Sequence, residues 1–305
     1  MDDQGTAVDR QAAHHQRAAD GWPGADDRPA STPWRRFWER GGFWRALLLA
    51  AVYYGLYELI GYLLGFVVGD TGSALRGAEG SATDVFFSIG LPILLASLLL
   101  MLFALSLGRL RALFSRQRIR GRGWMWIGIA VVLAINVSAL LDLDWAAAGG
   151  ALVASWLLTG LFVGVAEETL TRGFVVNLMR ARGHGEIAVA LASAGIFAAL
   201  HIGNVFTSDQ GLAVTALQVV YTFGFGIVMY LALRVTGTLL GPILLHASTD
   251  PTLFLHGEHP AGTIAGVLPA LSTLLVIATG LILLVVLLVS ERGRRTTAVA
   301  PGAGA

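Results

Sequence analysis

The sequence contains no cysteine and no lysine, and only 13% of its 305 residues carry a charged side chain. Without cysteine, disulfide bonds, thiolate metal sites and cysteine nucleophiles are all excluded. Soluble domains carry about 25% charged residues. Because 55% of this chain is hydrophobic, its composition indicates a protein that crosses a membrane several times. The formal net charge of +1 gives no indication of a nucleic-acid partner, and we expect none.

The first 40 residues differ from the rest of the chain, because they are polar and rich in Ala, Gly, Pro and Asp. This composition predicts a disordered cytoplasmic tail over residues 1–40. The stretch is too long and too polar for the start of a signal peptide, so we expect no cleavage there. The apolar segments occupy residues 44–290, and a second short cytoplasmic tail is predicted at 291–305.

Eight apolar segments are long enough to cross a bilayer, which requires about 20 residues in a helix. The sequence therefore predicts an all-α, polytopic integral membrane bundle of about eight transmembrane helices. The predicted spans are 44–68, 86–107, 124–141, 149–178, 186–203, 212–233, 238–254 and 262–290.

Arginine-rich stretches lie at alternate ends of these spans, and acidic residues lie in most of the opposite loops. Loops that carry arginine stay on the cytoplasmic side of a membrane. We therefore expect a multi-pass protein of the cell membrane with both termini in the cytoplasm. The basic loop 109–122 fits this anchoring role better than it fits a nucleic-acid patch.

Ionisable side chains occur at a similar predicted depth in three of the spans. Glu167 lies about 20 Å from the anchor Arg180, and His201 lies about 22 Å along the fifth span. His246 and Asp250 lie about 14 and 20 Å along the seventh span. Ionisable groups inside a span indicate a functional site. We therefore expect these side chains to share one site.

The spacing within each helix predicts which of these side chains share a helix face. Residues four positions apart face the same way, so Glu168 is expected to pair with Arg172, and His246 to lie beside Asp250. Glu167 is rotated by about 100° from Glu168, which leaves it free for chemistry.

Structural explanations stay open for the same residues. The group Glu167–Arg172 is either an active site or an interfacial ion pair, and His201 lies either in the site or in a loop. His246 either takes part in chemistry or bonds a backbone carbonyl of another helix. Asp250 precedes Pro251, which is a common turn signal. Since proline disfavours helical geometry in the residue before it, we expect the helix to open there.

Glu58 in the first span has no motif partner, although its predicted depth of about 20 Å matches that of the other groups. It either borders the site or has a role in helix packing. The small residues around Phe223 and Gly226 favour close helix packing over contact with a substrate.

Three motifs occur in order on successive apolar segments. They are E-E-x-x-x-R, F-x-x-x-H and H-x-x-x-[N/D], formed by Glu167, Glu168, Arg172, Phe197, His201, His246 and Asp250. Together they resemble the motifs of the CPBP intramembrane proteases, which include the CAAX prenyl endopeptidases of the Rce1 type. The resemblance covers roughly 150–255, and Phe223 and Gly226 correspond loosely to a fourth, Phe/Gly-rich feature.

The resemblance implies a helical protein whose conical cavity is open towards the cytoplasm and in which activated water hydrolyses a peptide bond. It implies that Glu167 is the general base and that His201 helps to hold the water. It also implies that His246 and the residue at position 250 face the oxyanion. It further implies that Glu168 and Arg172 shape the site.

Many relatives have asparagine where this chain has Asp250. An amide can donate a hydrogen bond to an oxyanion, whereas an ionised carboxylate can only accept one. Asp250 is therefore expected to be protonated, to orient His246 or to help bind a metal ion. Zinc commonly takes His and carboxylate ligands, so Glu167, His201 and His246 are candidate ligands. The chain lacks H-E-x-x-H, and hydrolysis without a metal stays equally open.

We therefore predict an intramembrane endopeptidase that acts on a peptide or protein substrate within the lipid bilayer. One alternative is a non-catalytic membrane partner that uses the same cavity, for example in bacteriocin immunity. A second is a proton-coupled transporter, which the lack of an inverted repeat between the chain halves disfavours.

Overall fold

The computed structural model describes residues 32–71, 77–117, 119, 121–207 and 210–299, and these are almost entirely helical. Most of the predicted tail, residues 1–31, lies outside the described residues. Its last part is not disordered, because Pro33–Glu39 forms a helix in which Trp38 is buried. The side chain of Thr32 accepts a hydrogen bond from the Arg35 amide and so starts this helix.

Eight long helices form a bundle within the described residues. They are α1 (Phe43–Thr71), α2 (Leu91–Ser106), α3 (Trp126–Leu141), α4 (Gly150–Glu168), α5 (Glu186–Leu200), α6 (Leu212–Thr236), α7 (Leu240–Glu258) and α8 (Ser272–Val299). Shorter α-helical segments extend or connect them at Pro33–Glu39, Ala82–Val85, Leu110–Phe114, Trp145–Ala148, Val176–Ala181, Asn204–Thr207 and Val267–Ala270. Turns of 3₁₀-helix lie at Gly123–Met125, His201–Gly203 and Ile264–Gly266, and π-helix lies at Phe86–Gly90 and Thr169–Val175. The predicted all-α class is confirmed.

Seven segments of the described chain are long and apolar enough to cross a membrane, which makes this a multi-pass membrane protein. They are Phe43–Phe66, Ala82–Ser106, Gly123–Leu141, Gly150–Ala181, Glu186–Phe206, Leu212–Thr236 and Ser272–Glu291. The predicted seventh span, 238–254, corresponds to α7, which is too polar to be among them. Instead of facing lipid with a purely apolar surface, α7 packs against α4 and carries polar side chains into the bundle.

The last helix differs from its prediction at both ends. The predicted span 262–290 begins instead at Ser272, because Ile264–Gly266 and Val267–Ala270 are separate short turns. The helix then continues to Val299, into the region predicted as a tail at 291–305.

Glycine brings α4 and α7 close together. A Cβ atom on Gly160 would lie 2.2 Å from Cγ of Pro251, and one on Gly164 would lie 2.7 Å from the carbonyl oxygen of Ile243. Small residues at such positions let two helix axes approach. Pro251 lies inside the continuous helix Leu240–Glu258, so the predicted opening of the backbone was wrong. The space above Gly160 accommodates the proline ring without ending the helix.

A buried ion-pair cluster closes the arginine-rich end of the bundle. The Glu186 carboxylate accepts hydrogen bonds from Arg180 at 2.7 Å, from Arg234 at 2.9 Å and from the Tyr230 hydroxyl. Arg180 also donates to the side-chain oxygen of Gln117 at 2.7 Å. Because the two arginines and the tyrosine are buried, this cluster joins α5, α6 and the loop after Leu110–Phe114 into a closed end.

At the opposite end, Asp142 joins α3 to α7 and to the segment that follows α7. Its carboxylate accepts a hydrogen bond from the Thr263 amide at 2.5 Å, and Nε2 of His256 lies 2.9 Å from it. Hydrogen bonds from Thr263 and His256 hold the pKa of Asp142 below its ordinary value. Leu143 and Pro260 form an isolated antiparallel bridge beside this contact.

Substituting alanine for Gly160 tests the contact between α4 and α7. The new methyl group would overlap Pro251, so we expect the free energy of unfolding to fall by about 1–3 kcal/mol. Gly195→Ala in α5 is the matched control, because nothing lies within 4 Å of its new Cβ. Thermal unfolding in detergent should show a lower midpoint for Gly160→Ala alone, and equal midpoints for the two variants would contradict the close packing.

Candidate active site

A buried carboxylate, Glu168, lies at the centre of the polar contacts between α4 and α7. Its Oε1 accepts a hydrogen bond from Nη1 of Arg172 at 3.1 Å and another from Nδ1 of His246 at 2.8 Å. The side chains of Glu168 and Arg172 are 0% exposed and that of His246 is 3% exposed. Charges are tolerated at such burial only when they are paired and hydrogen-bonded. The predicted Glu168–Arg172 pair is present, and His246 extends it.

Arg172 lies in the π-helical stretch Thr169–Val175, which directly continues α4. Single π-helical turns inside helices frequently occur at functional sites. The Arg172 guanidinium donates to the carbonyl oxygen of Gly226 at 2.9 Å, and its Cζ lies 4.7 Å from the ring centroid of Phe197. A Cβ on Gly226 would lie 2.9 Å from Cα of Ala194, so a larger residue would push α6 away from α5.

Glu167 and Asp250 face the other ring nitrogen of His246. Oε2 of Glu167 lies 3.7 Å from Nε2, and Oδ2 of Asp250 lies 3.6 Å from it. Both distances exceed a direct hydrogen bond and suit one that is bridged by water. The side chains of Glu167 and Asp250 are 19% and 31% exposed, in contrast to the fully buried Glu168. The carboxylate of Glu168 is therefore fixed by its partners, whereas that of Glu167 is accessible.

His201 begins the 3₁₀ turn at the end of α5. Its Nδ1 lies 3.0 Å from the carbonyl oxygen of Phe197, so this nitrogen donates and Nε2 is the nitrogen left for other contacts. The Phe197 ring contacts the rings of His201 and His246 edge-on, with centroids 5.0 and 5.8 Å apart. One phenyl ring therefore positions both imidazoles.

The predicted site residues surround a single cavity with a volume of about 610 Å³. Glu167, His201, His246 and Asp250 line this cavity, and Glu58, whose role the sequence left open, lines it as well. Glu168 and Arg172 lie behind its wall, where they contact His246 and Phe197.

The cavity extends towards the helix ends that lie away from the arginine-rich connections. Its lining includes Trp156 near the start of α4, Val214 near the start of α6 and Ser272 at the start of α8. The side chain of Val214 is exposed at this end, whereas the cluster around Glu186 fills the other end. A cavity open towards the cytoplasm was expected, and the side of the membrane that the cavity faces stays a prediction.

The candidate zinc ligands do not form a ligand set as they are placed. No three side chains of His, Cys, Asp or Glu in the described parts of the chain are grouped so that they could hold a metal ion. Nδ1 of His246 is bonded to Glu168, which leaves Nε2 as the ring nitrogen that could bind an ion. Zinc sites require ligand atoms at about 2 Å from the ion. A zinc site formed by Glu167, His201 and His246 therefore stays a prediction.

Two hydroxyl groups in the cavity wall were not predicted. Tyr53 on α1 is 6% exposed and Thr159 on α4 is 1% exposed, and both line the cavity. Neither hydroxyl has a hydrogen-bond partner within the described residues. Because a buried hydroxyl without a partner is unfavourable, these donors are suited to a bound ligand. Thr159 lies on the Glu167 face of α4, but no spacing rule relates Tyr53 to the motifs.

Residues 149–252 match the family model described as "Type II CAAX prenyl endopeptidase Rce1-like". This segment is Rce1-like. The predicted resemblance is thereby confirmed, and the Rce1-like segment contains every residue of the three motifs. It begins at α4 and ends within α7, so it includes the helices that hold the buried Glu168 centre. The match supports a protease in a membrane. A comparison with curated proteins finds no match to the chain.

Replacing Arg172 by glutamine tests the buried pair. The change leaves the charge of Glu168 uncompensated, so we expect the free energy of unfolding to fall by about 3–5 kcal/mol. The matched control is Arg182→Gln, an exposed arginine at the end of the same transmembrane segment, with an expected change within about 0.5 kcal/mol. Thermal unfolding in detergent measures both, and an unchanged midpoint for Arg172→Gln would contradict the assigned pair.

Proposed function

We propose that the protein is an intramembrane endopeptidase that hydrolyses a peptide bond with a water molecule activated by Glu167. The observation that supports it best is the convergence of Glu167, Asp250 and the outward nitrogen of His246 on one cavity. The Rce1-like match of residues 149–252 supports the same class of enzyme.

Glu167 acts first as a base and then as an acid. Its carboxylate, accessible in the cavity, takes a proton from the water as the water oxygen bonds to the peptide carbonyl carbon. It then passes that proton to the amide nitrogen as the carbon–nitrogen bond breaks. His201 lines the same cavity and offers its Nε2 to orient the water. The low dielectric of the bundle interior strengthens each of these interactions.

Glu168 and Arg172 act by positioning His246. The hydrogen bond from Nδ1 of His246 to Glu168 fixes the ring, so that Nε2 faces Glu167 and Asp250. Arg172 neutralises Glu168, which keeps a second bare negative charge away from the reacting carbonyl.

Tyr53 supplies a donor that Asp250 does not provide when it is ionised. The oxyanion of a tetrahedral intermediate requires fixed hydrogen-bond donors, and an ionised carboxylate only accepts. The Tyr53 hydroxyl is buried in the wall of the cavity that Glu167 also lines, and it has no hydrogen-bond partner among the described residues. We assign it to the oxyanion, with Asp250 holding the attacking water beside His246.

The arginine-rich connections support an orientation in which both termini lie in the cytoplasm of the cell. In that orientation the cavity opens towards the outer side of the membrane, because its lining reaches the starts of α4, α6 and α8. The peptide substrate therefore enters from the outer side or from the outer leaflet.

Glu167→Gln removes the base while keeping the size and shape of the side chain. We expect cleavage of a peptide library by the purified protein to fall by about 10²–10⁴-fold, with no change in the unfolding midpoint. Glu258→Gln, at an exposed carboxylate outside the cavity lining, is the control and should cleave normally. Full activity of Glu167→Gln would falsify the mechanism and favour a non-catalytic role.

The same assay with a chelator tests metal dependence. Since no step above uses a metal ion, we expect cleavage to continue at an unchanged rate. Activity that is lost with the chelator and restored by zinc would contradict the proposed role of water activated by Glu167 alone.

Tyr53→Phe tests the assignment of the oxyanion donor. Removing one such donor costs about 10²–10³-fold in kcat, and KM should change little because the interaction strengthens in the transition state. Tyr62→Phe is the control, because Tyr62 lies on the same helix and is 72% exposed. A normal kcat for Tyr53→Phe, or a loss confined to KM, would remove Tyr53 from this role.

A further inference from the structure

Glu58 is an acid in the cavity wall that the proposed mechanism does not use. It lies on α1, is half-buried and lines the cavity together with Tyr54. The chain has no lysine, and the described residues that line the cavity include no arginine.

The other buried acids in the described bundle have a basic partner or a hydrogen-bonded role. Glu168 pairs with Arg172, and Glu186 pairs with Arg180 and Arg234. Glu58 forms no ion pair with the part of the chain that is described. A carboxylate within a membrane span is costly unless it meets a partner or has a function. The missing positive charge is therefore expected to come from outside the described part of the chain.

Glu58 also shares the cavity with the reaction centre. Glu58, Tyr57 and Glu167 all line it. A group bound at Glu58 would thus belong to the same peptide whose carbonyl is attacked.

The buried hydroxyls give a second, independent indication of a ligand in this cavity. Thr159 and Tyr53 are almost fully buried and have no partner among the described residues. A peptide backbone supplies both donors and acceptors to such groups. The cavity volume of about 610 Å³ is large enough for several residues of an extended peptide.

We propose that Glu58 recognises a cationic side chain, arginine or lysine, in a peptide that enters the cavity from the end without arginine-rich connections. The inference rests on the proposed peptidase function and names its substrate class. A basic side chain in the cavity would meet Glu58, Glu167 and Asp250 favourably, since all three carboxylates line it.

Binding to an inactive form of the full-length protein tests the inference. The Glu167→Gln protein in lipid nanodiscs is titrated with fluorescent apolar peptides that differ only in a central arginine, citrulline or glutamate. Citrulline has the shape of arginine without its charge. We expect the arginine peptide to bind about tenfold more tightly than the citrulline peptide, and the glutamate peptide to bind least.

Adding Glu58→Gln should bring the ratio between the arginine and citrulline peptides close to one. Adding Glu258→Gln, at an exposed acid, should leave the tenfold ratio unchanged. A ratio near one with Glu58 intact, or a tenfold ratio that survives Glu58→Gln, would overturn the inference.

Cleavage separates this inference from the proposed function. A wild-type protein that cleaves peptides without any preference for a basic residue would overturn the inference and leave the peptidase intact. A protein that binds the arginine peptide through Glu58 but cleaves none of the set would overturn the peptidase and leave the cationic subsite.

Discussion

Glu168 is a negative charge with no water around it, and the arrangement of the site follows from how that charge is compensated. Arg172 comes from the next turn of the same chain segment, but His246 comes from α7. Oε1 of Glu168 therefore keeps both of its hydrogen bonds only when α4 and α7 lie side by side. Gly160 and Gly164 permit that approach. Helix packing and the orientation of the His246 imidazole therefore depend on each other. Losing either leaves the buried charge of Glu168 without its partners.

The two ends of the bundle are built differently, and this difference sets the direction of access. At the arginine-rich end, the carboxylate of Glu186 collects Arg180, Arg234 and Tyr230 into a buried cluster. At the other end, Asp142 holds the segments at the edge of the bundle and leaves the space between α1, α4 and α6 free. Buried charged groups fill one end of the bundle, and hydroxyl groups line the cavity at the other end. The two ends of the cavity therefore differ.

Much of the fold could be predicted from the sequence, because apolar segment length and arginine placement are local properties that lipid enforces. The Glu168–Arg172 pair was predictable for the same reason, since it depends on one helical turn. The position of α7 was not predictable from the sequence. A polar helix is stable there only when glycines on α4 let it pack closely. Pro251, which suggests a break, stays in the helix because Gly160 leaves room for its ring.

The cavity was the least predictable part. Tyr53 and Glu58 lie on α1, outside the segment 149–252 that carries the family match, and only folding brings them to the motif residues. The bulky buried groups that fill the arginine-rich end are far apart in the sequence, so the shape of the cavity was not predictable from it. Hydropathy varies with a regular period along a helix and can be read from the sequence. The volume of the side chains at helix ends has no such period.

The buried cluster at the arginine-rich end has a consequence for the proposed cleavage. Both fragments would leave from the end of the bundle at which the chain came in, because the cluster around Glu186 occupies the far end of the described bundle. The proposed enzyme would then cut a polypeptide without moving any part of it across the bilayer. The order in which the two fragments depart, rather than any passage through the protein, would then govern how soon the next chain can dock.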